Sequence, residues 1–327
     1  MESNHDNQAV TQGRQQDGWE RETIEKLAFA AVTEQRRSRR WGIFFKLLMF
    51  VYLLALFGVA MYPQIKEDFE IGTVSKGHTA VIDVVGVIAE DKETNAEVII
   101  QGLRDAVKDK NTKGIILHIN SPGGSPVQSD YVYNEIRQLK QEYPDLPVIS
   151  VVSDICASGG YYIASAADKI FVNQASIIGS IGVVMNGFGF VDVLDKLGVE
   201  RRLLTAGAHK AMLDPFSPTN EEETQHMQKL LNQVHTQFIN AVRTGRGERL
   251  KESDDMFSGL VWTGKEGVEL GLADDFGDDR FVAKTVIGAE KLVNFTPHER
   301  LLDRLAGKLG ASFGQTLVAF SDRLMLR

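Results

Sequence analysis

The longest apolar stretch lies near the start of the chain, where Leu47 to Tyr62 run largely apolar and uncharged, and extension back to Gly42 adds a single charge, Lys46. At about 1.5 Å of rise per helical residue, the span 42–62 reaches roughly 31 Å, enough for a hydrocarbon core of about 30 Å. A transmembrane helix is predicted there, with Lys46 reaching back to the interface. A cleaved signal peptide is the rival reading, but its apolar region is usually shorter and no A-x-A-like site follows Tyr62. Upstream, residues 1–18 are rich in Gln, Asn and Asp and too poor in apolar residues to build a core. Trp19 to Arg36 places Ile24, Leu27, Ala28, Ala31 and Val32 at helical spacing, which predicts a short amphipathic helix within a tail spanning 1–41. Residues 63–77 read as a linker.

From 78 to 294 the pattern changes to alternation. Strand-like runs at Thr79 to Ile88, Gly114 to Ile119, Val148 to Ser153, Lys169 to Val172 and Ile181 to Met185 are separated by helical patterns, notably Asn95 to Asp109 and Ser129 to Glu142. Such alternation predicts βαβ units, hence an α/β domain whose mostly parallel sheet carries its helices outside. Glu221 to Arg243 predicts a longer helix with Met227, Leu230, Leu231, Val234, Phe238 and Val242 on one side, a stripe expected to be ordinary core. The segment 295–327 carries Leu301, Leu305, Leu309, Phe313, Leu317, Phe320 and Leu324 three or four apart, an amphipathic tail for a neighbouring subunit or a membrane surface. Gly307, Gly310 and Gly314 weaken it as one continuous helix.

Composition narrows the partners. A hydrophobic content of 43% is ample for a core, and a net charge of -8 argues against nucleic acid, since phosphate binding needs a basic surface. The one cysteine, Cys156, forms no internal disulfide, so it leaves the compartment open. Charge around the apolar span settles orientation instead. Arg36, Arg37, Arg39 and Arg40 precede it, whereas Glu67, Asp68 and Glu70 follow with Lys66, so the positive-inside rule predicts a cytoplasmic N-terminus and a domain on the far side of the membrane.

Two glycine turns follow consecutive strand-like runs. Asn120-Ser121-Pro122-Gly123-Gly124-Ser125 closes the run Gly114 to Ile119, and Ala157-Ser158-Gly159-Gly160-Tyr161-Tyr162-Ile163 follows Pro147 to Asp154 at the start of a small-residue helix. Ser158 stands where a nucleophile would sit, and Gly124 N–H and Gly159 N–H are an oxyanion-hole pair, aided by the helix dipole. A serine hydroxyl needs a base, and a lysine serves only when neutral, which burial among apolar groups favours. Lys210 precedes Ala211, Met212 and Leu213, a setting of that kind. Competing assignments are a Ser158–His209–Asp arrangement with Asp192 or Asp214, and Cys156 as nucleophile. Side chains of neighbouring residues in an extended segment point oppositely, so His209 and Lys210 cannot both face Ser158.

The ordered set SPGGS, ASGGYYIASAAD and GSIGV resembles the signal peptide peptidase A family of membrane-anchored Ser/Lys peptidases, peptidase family S49, within the Clp-protease and crotonase superfamily; the resemblance spans roughly Thr79 to Phe276. It implies repeated ββα units with a mostly parallel sheet, and a general-base lysine in a Gly-x-x-Lys setting, matched here by Gly207-Ala208-His209-Lys210. Ser158 is then nucleophile and Lys210 base, with no cofactor and no metal. Ser180 either orients the lysine or caps a turn, and Ser180, Ile181, Gly182 and Val183 offer an edge on which an extended peptide adds as a strand. Phe257 to Asp275 resembles the family's late segment, with Gly267 where alanine is usual, and its reading is structural. Only one SPGGS and ASGGY unit is present where longer members carry two, so the resemblance implies a ring-like homo-oligomer whose site is shared between subunits. The expected substrates are signal-peptide remnants and other membrane-released peptides, and the expected place is a bacterial inner membrane with the domain periplasmic. A crotonase-like acyl-CoA enzyme and a non-catalytic membrane scaffold are the alternatives.

Overall fold

A computed structural model describes residues 26, 29, 33–37, 39–58 and 77–297. The chain divides into two units, Met1–Ser75 and Lys76–Arg327. In the first, the described residues form one helix, Thr33–Gly58, long and apolar enough to cross a membrane and with none of its apolar stretch buried. It starts upstream of the expected 42–62 span because the arginine-rich segment continues the helix. The amphipathic helix expected over Trp19 to Arg36 falls largely outside the described residues, as do the linker up to 76 and the apolar stripe from Leu301 to Leu324.

The second unit is built on an eight-stranded sheet. In chain order its elements are β1 His78–Ile88, α1 Ala96–Lys108, β2 Thr112–Gly124, α2 Pro126–Glu142, β3 Val148–Ala157, α3 Gly159–Ala164, β4 Lys169–Val172, β5 Ile177–Gly179, α4 Val191–Leu197, α5 Glu221–Arg246, β6 Val261–Thr263, α6 Gly264–Glu269, β7 Asp275–Phe276, α7 Asp279–Phe281 and β8 Leu292–Asn294. The order β8-β1-β2-β3-β5-β6 is parallel except where β6 runs against β5, and β4 pairs with both β3 and β7. The mostly parallel α/β sheet expected from the alternation is therefore present.

Both faces of the sheet are covered, which is why its strands read as near-continuous apolar runs. Ala80, Ile82, Val84, Ile115, Leu117 and Ile119 face a large core shared with Ile99 and Leu103 of α1 and Val132 and Ile136 of α2. The alternate positions Ile116, Ile149 and Val151 face a second cluster with Phe171, Val282 and Ala283. Side chains cap the helices: Asn95 accepts from Val98 N–H, Ser125 from Gln128 N–H beside Pro126 at N1, and Thr263 and Glu266 form a capping box on α6. Gly267, at the position where the family has alanine, lies where a Cβ would collide with the Ile178 side chain.

Three expectations need correction. The run Ile181 to Met185 is not a strand; the strand is Ile177–Gly179, whose last ladder pairs are at Gly179, and the chain leaves the sheet at Ser180, a non-glycine residue with φ 51°. The SPGGS segment is not a turn after β2 but its continuation, with Gly123 and Gly124 paired to Val87 and Ile88 beyond an irregularity in the ladder. On α5 only Phe238 and Val242 of the predicted stripe are buried, whereas Leu230 is exposed and Leu231 and Val234 are half-buried. The N-terminal half of that helix lines a cleft rather than a core.

One buried ion pair ties α5 to the strand ends. The Arg246 side chain is fully buried, with Nε donating to Gly271 O and Nη1 to Asp274 Oδ2 at 2.8 Å, and Ile170 N–H donates to the same carboxylate. Burial opposes ionisation of Asp274, but the Arg246 guanidinium overrides it and holds the carboxyl below its ordinary value. Replacing Asp274 by Ala should cost about 3–5 kcal/mol, since it strands a buried cation. The check is the urea unfolding midpoint. Because the folded pKa is depressed, this contribution is complete above the unfolded carboxyl value of about 3.9 and fades as pH falls through the lower folded value.

Candidate active site

Ser158 occupies the junction where β3 ends and α3 begins, with φ 50° and ψ −122°. This conformation is costly for a residue with a Cβ, and it persists only where the surroundings enforce it. Here they do: Ser158 N–H donates to Gly179 O at 2.8 Å, and Ser158 O accepts from Tyr162 N–H at 2.9 Å. The sharp turn lifts the half-buried serine side chain above the strand ends and into a cleft of about 450 Å³.

The two glycine motifs meet at this point. A Cβ on Gly123, which has φ 103°, would lie 2.7 Å from both Ser158 Cβ and Gly159 N, so only glycine lets the backbone approach the serine this closely. A Cβ on Gly159 would lie 2.4 Å from Ser129 Oγ and 3.2 Å from Gly124 N, so Gly159 and Gly124 approach each other closely, and both line the cleft with Ser158. Gly159 N–H is in the first turn of α3, where no helical acceptor exists for it.

Ser180, Gly182 and Val183 line the same cleft, while Ile181 is fully buried behind them. Ser180, with φ 51°, extends the β3–β5 register beyond the pair Ala157 and Gly179, which brings the two strained serines to neighbouring positions. The opposite wall is α5, through Gln228, Leu231, Asn232, Val234, His235 and Phe238. Tyr162 closes the floor, stacked on Phe238 at 4.8 Å and donating to Asp130 at 2.8 Å; burial, then the Asp130 carboxylate, pushes its phenol pKa up. None of the α5 residues or Tyr162 was assigned to the site from sequence. The polar positions 228, 232 and 235 follow helical spacing beside the apolar stripe, and that was the available signal.

Lys210 is not in this cleft. It lies in an exposed turn, its N–H directed to Gly207 O, on an arm between α4 and α5. His209 on that arm lies 3.5 Å from Glu223 of α5, and Asp214 pairs with Arg201 and Ser217, so the Ser158–His209–Asp alternative has no support from geometry. A Ser-His-Asp chain does occur elsewhere: Ser153 Oγ is 3.3 Å from His118 Nε2, and His118 Nδ1 is 2.8 Å from Asp279. It sits on the sheet face that carries Ile116 and Val151, with its serine inside a strand rather than on a strained turn. Cys156 is fully buried, and burial pushes its thiol pKa far up, which suits packing and not attack. Among the described residues no group of three or more His, Cys, Asp or Glu is placed to hold a metal.

Comparison with known proteins fits this arrangement. Residues 140–293 match the model for peptidase family S49, and residues 79–178 match that for Clp protease. A protein of Enterococcus faecium named as a signal peptide peptidase is 31% identical over 239 residues, covering 71% of this chain and 69% of that protein. Protease 4 of Haemophilus influenzae is 33% identical over 219 residues, 66% of this chain and 35% of its own length. A Brucella abortus protein named Na(+)/H(+) antiporter NhaA is 44% identical over 213 residues, 65% of this chain but only 29% of that protein. With the glycine-flanked serine and the parallel sheet in place, these matches establish that the chain belongs to peptidase family S49.

Proposed function

We propose that the protein is a membrane-anchored serine endopeptidase that degrades cleaved signal peptides and other membrane-released or unfolded peptides. The observation that carries this reading is Ser158, strained at a strand-to-helix turn beside two glycine amides in an open cleft. In the proposed reaction Ser158 Oγ attacks the peptide carbonyl and its proton passes to neutral Lys210. Gly124 and Gly159 N–H groups bind the oxyanion, and the proton then leaves with the amine. Water, deprotonated in turn by Lys210, attacks the acyl carbonyl, and the lysine passes that proton to Ser158 Oγ as the C–O bond breaks and the carboxylic acid product leaves. Ser180 orients the lysine amine, and the substrate main chain lies against 180–184. A name given to the Enterococcus relative supports the substrate class.

Lys210 is proposed to come from an adjacent copy in a ring-like homo-oligomer. What supports this is its absence from the cleft of its own chain and the apolar surface nearby in sequence, where Leu204 on the arm is 98% exposed and Phe188 just before α4 is 82% exposed. Such a surface normally marks an interaction site.

The helix Thr33–Gly58 and the arginines before its apolar stretch support a single-pass anchor with the N-terminus cytoplasmic and the peptidase domain periplasmic. A reporter active only outside the cytoplasm, fused after Lys76, should give signal, and alkaline extraction should leave the protein in the membrane fraction. A cytoplasmic signal from the fusion would reverse the topology.

The direct test is hydrolysis of an unstructured peptide by the full chain in detergent, together with labelling by a fluorophosphonate and mass spectrometry of the labelled peptide. Modification of Ser158 with parallel loss of turnover is the expected result. Undiminished turnover after complete labelling would reject the assignment.

A further inference from the structure

Residues 180–184 form one wall of the cleft that holds Ser158, yet they follow the end of β5 and belong to no strand. Two hydrogen bonds from outside hold them in place. Ser180 N–H donates to Leu260 O at 2.7 Å, and Ile181 O lies 3.0 Å from Nε2 of His235. A carbonyl has no proton to give, so Nε2 is the donor, and the neutral ring carries its proton there with Nδ1 as acceptor. The Ile181 side chain is fully buried, which anchors this segment to the core on one side while its carbonyl faces His235. His235 lies on the same face of α5 as Gln228, Leu231 and Asn232, at spacings of three and four, and all four line the cleft.

We infer that His235 is a positioning residue for peptide binding: its Nε2–H fixes the backbone of 181–184 in the orientation against which an extended substrate chain pairs. This rests on reading the Ser158 cleft as a peptidase site. The nucleophile is held by other bonds, through Ser158 N–H to Gly179 O and the close approach of Gly123. Removing the histidine donor therefore acts on the peptide-binding wall and leaves the serine turn in place. A main chain that pairs with a backbone edge depends on the spacing and direction of that edge, so loss of one anchoring donor weakens every register of binding together.

The test compares His235→Leu and His235→Gln with wild type in the full chain, using an unstructured peptide and a small fluorophosphonate that has no peptide chain. His235→Leu should raise KM for the peptide about tenfold, the worth of one donor to a buried carbonyl, while kcat and the rate of Ser158 labelling stay at wild-type values. His235→Gln, whose amide also donates, should recover most of the KM. An unchanged KM in His235→Leu overturns the proposal, and so does an equal loss of turnover and labelling in both variants, which marks a general disturbance of the fold. A wild type that neither cleaves peptide nor takes the probe removes the peptidase reading and this inference with it; an active wild type with KM unmoved by His235→Leu removes the inference alone.

Discussion

Ser158→Ala is expected to lower peptide turnover by about 10⁵ to 10⁶ in kcat, the scale seen when a serine hydrolase loses its nucleophile. The fold should survive. Alanine keeps the Cβ that Gly123 accommodates, so the strain at φ 50° is already present in the wild type and the substitution adds none. The backbone bonds that enforce the turn, from Ser158 N–H to Gly179 O and from Tyr162 N–H to Ser158 O, do not involve the hydroxyl. Stability should stay within about 0.5 kcal/mol of wild type, as for a substitution that opens no cavity and strands no charge. The measurement pairs turnover of an unstructured peptide with thermal melting. Wild-type turnover in the variant would end the serine mechanism, and a collapsed melting curve would mean that the hydroxyl has a structural role that the hydrogen bonds do not reveal.

Much of the fold was legible because its strands are buried on both faces and its helices carry capping residues in sequence. β1, β4 and α1 fall within a residue or two of their predicted bounds, since an apolar run between turn signals leaves little choice. The failures share a cause. Ile181 to Met185 has the composition of a strand, but whether it pairs depends on φ at Gly179 and Ser180, set by contacts with β6 and Leu260 far along the chain. The apolar stripe on α5 was read as core because spacing identifies a face and not what covers it. In the structure Leu231 and Val234 face the cleft instead. Ser158, Gly124 and Gly159 meet in one cleft because they are covalently tied to strand ends that the sheet must bring together. The α5 wall is also in the cleft, but no motif announces it, and Tyr162 lies within the ASGGYY run without anything there marking it as a cleft residue.

Lys210 is the residue for which sequence and a single chain part company, and it yields the second large effect. Lys210→Ala and Lys210→Arg should both lose peptide turnover to the same extent as Ser158→Ala, since a guanidinium cannot become a neutral base at usable pH. His209→Ala should retain substantial activity, because its ring is engaged with Glu223 on the arm and not with Ser158. If Lys210 reaches the cleft of a neighbour, an assembly of Ser158→Ala and Lys210→Ala subunits holds some sites that combine an intact Ser158 with an intact Lys210. Mixing the two inactive variants under conditions that permit subunit exchange should therefore restore a fraction of the activity, up to about one site in four for random pairing across a heterologous contact. Neither variant alone can form such a site. A mixed oligomer that demonstrably forms yet remains inactive would show that serine and lysine act within one chain, and the arm carrying Lys210 would then have to fold back onto its own cleft.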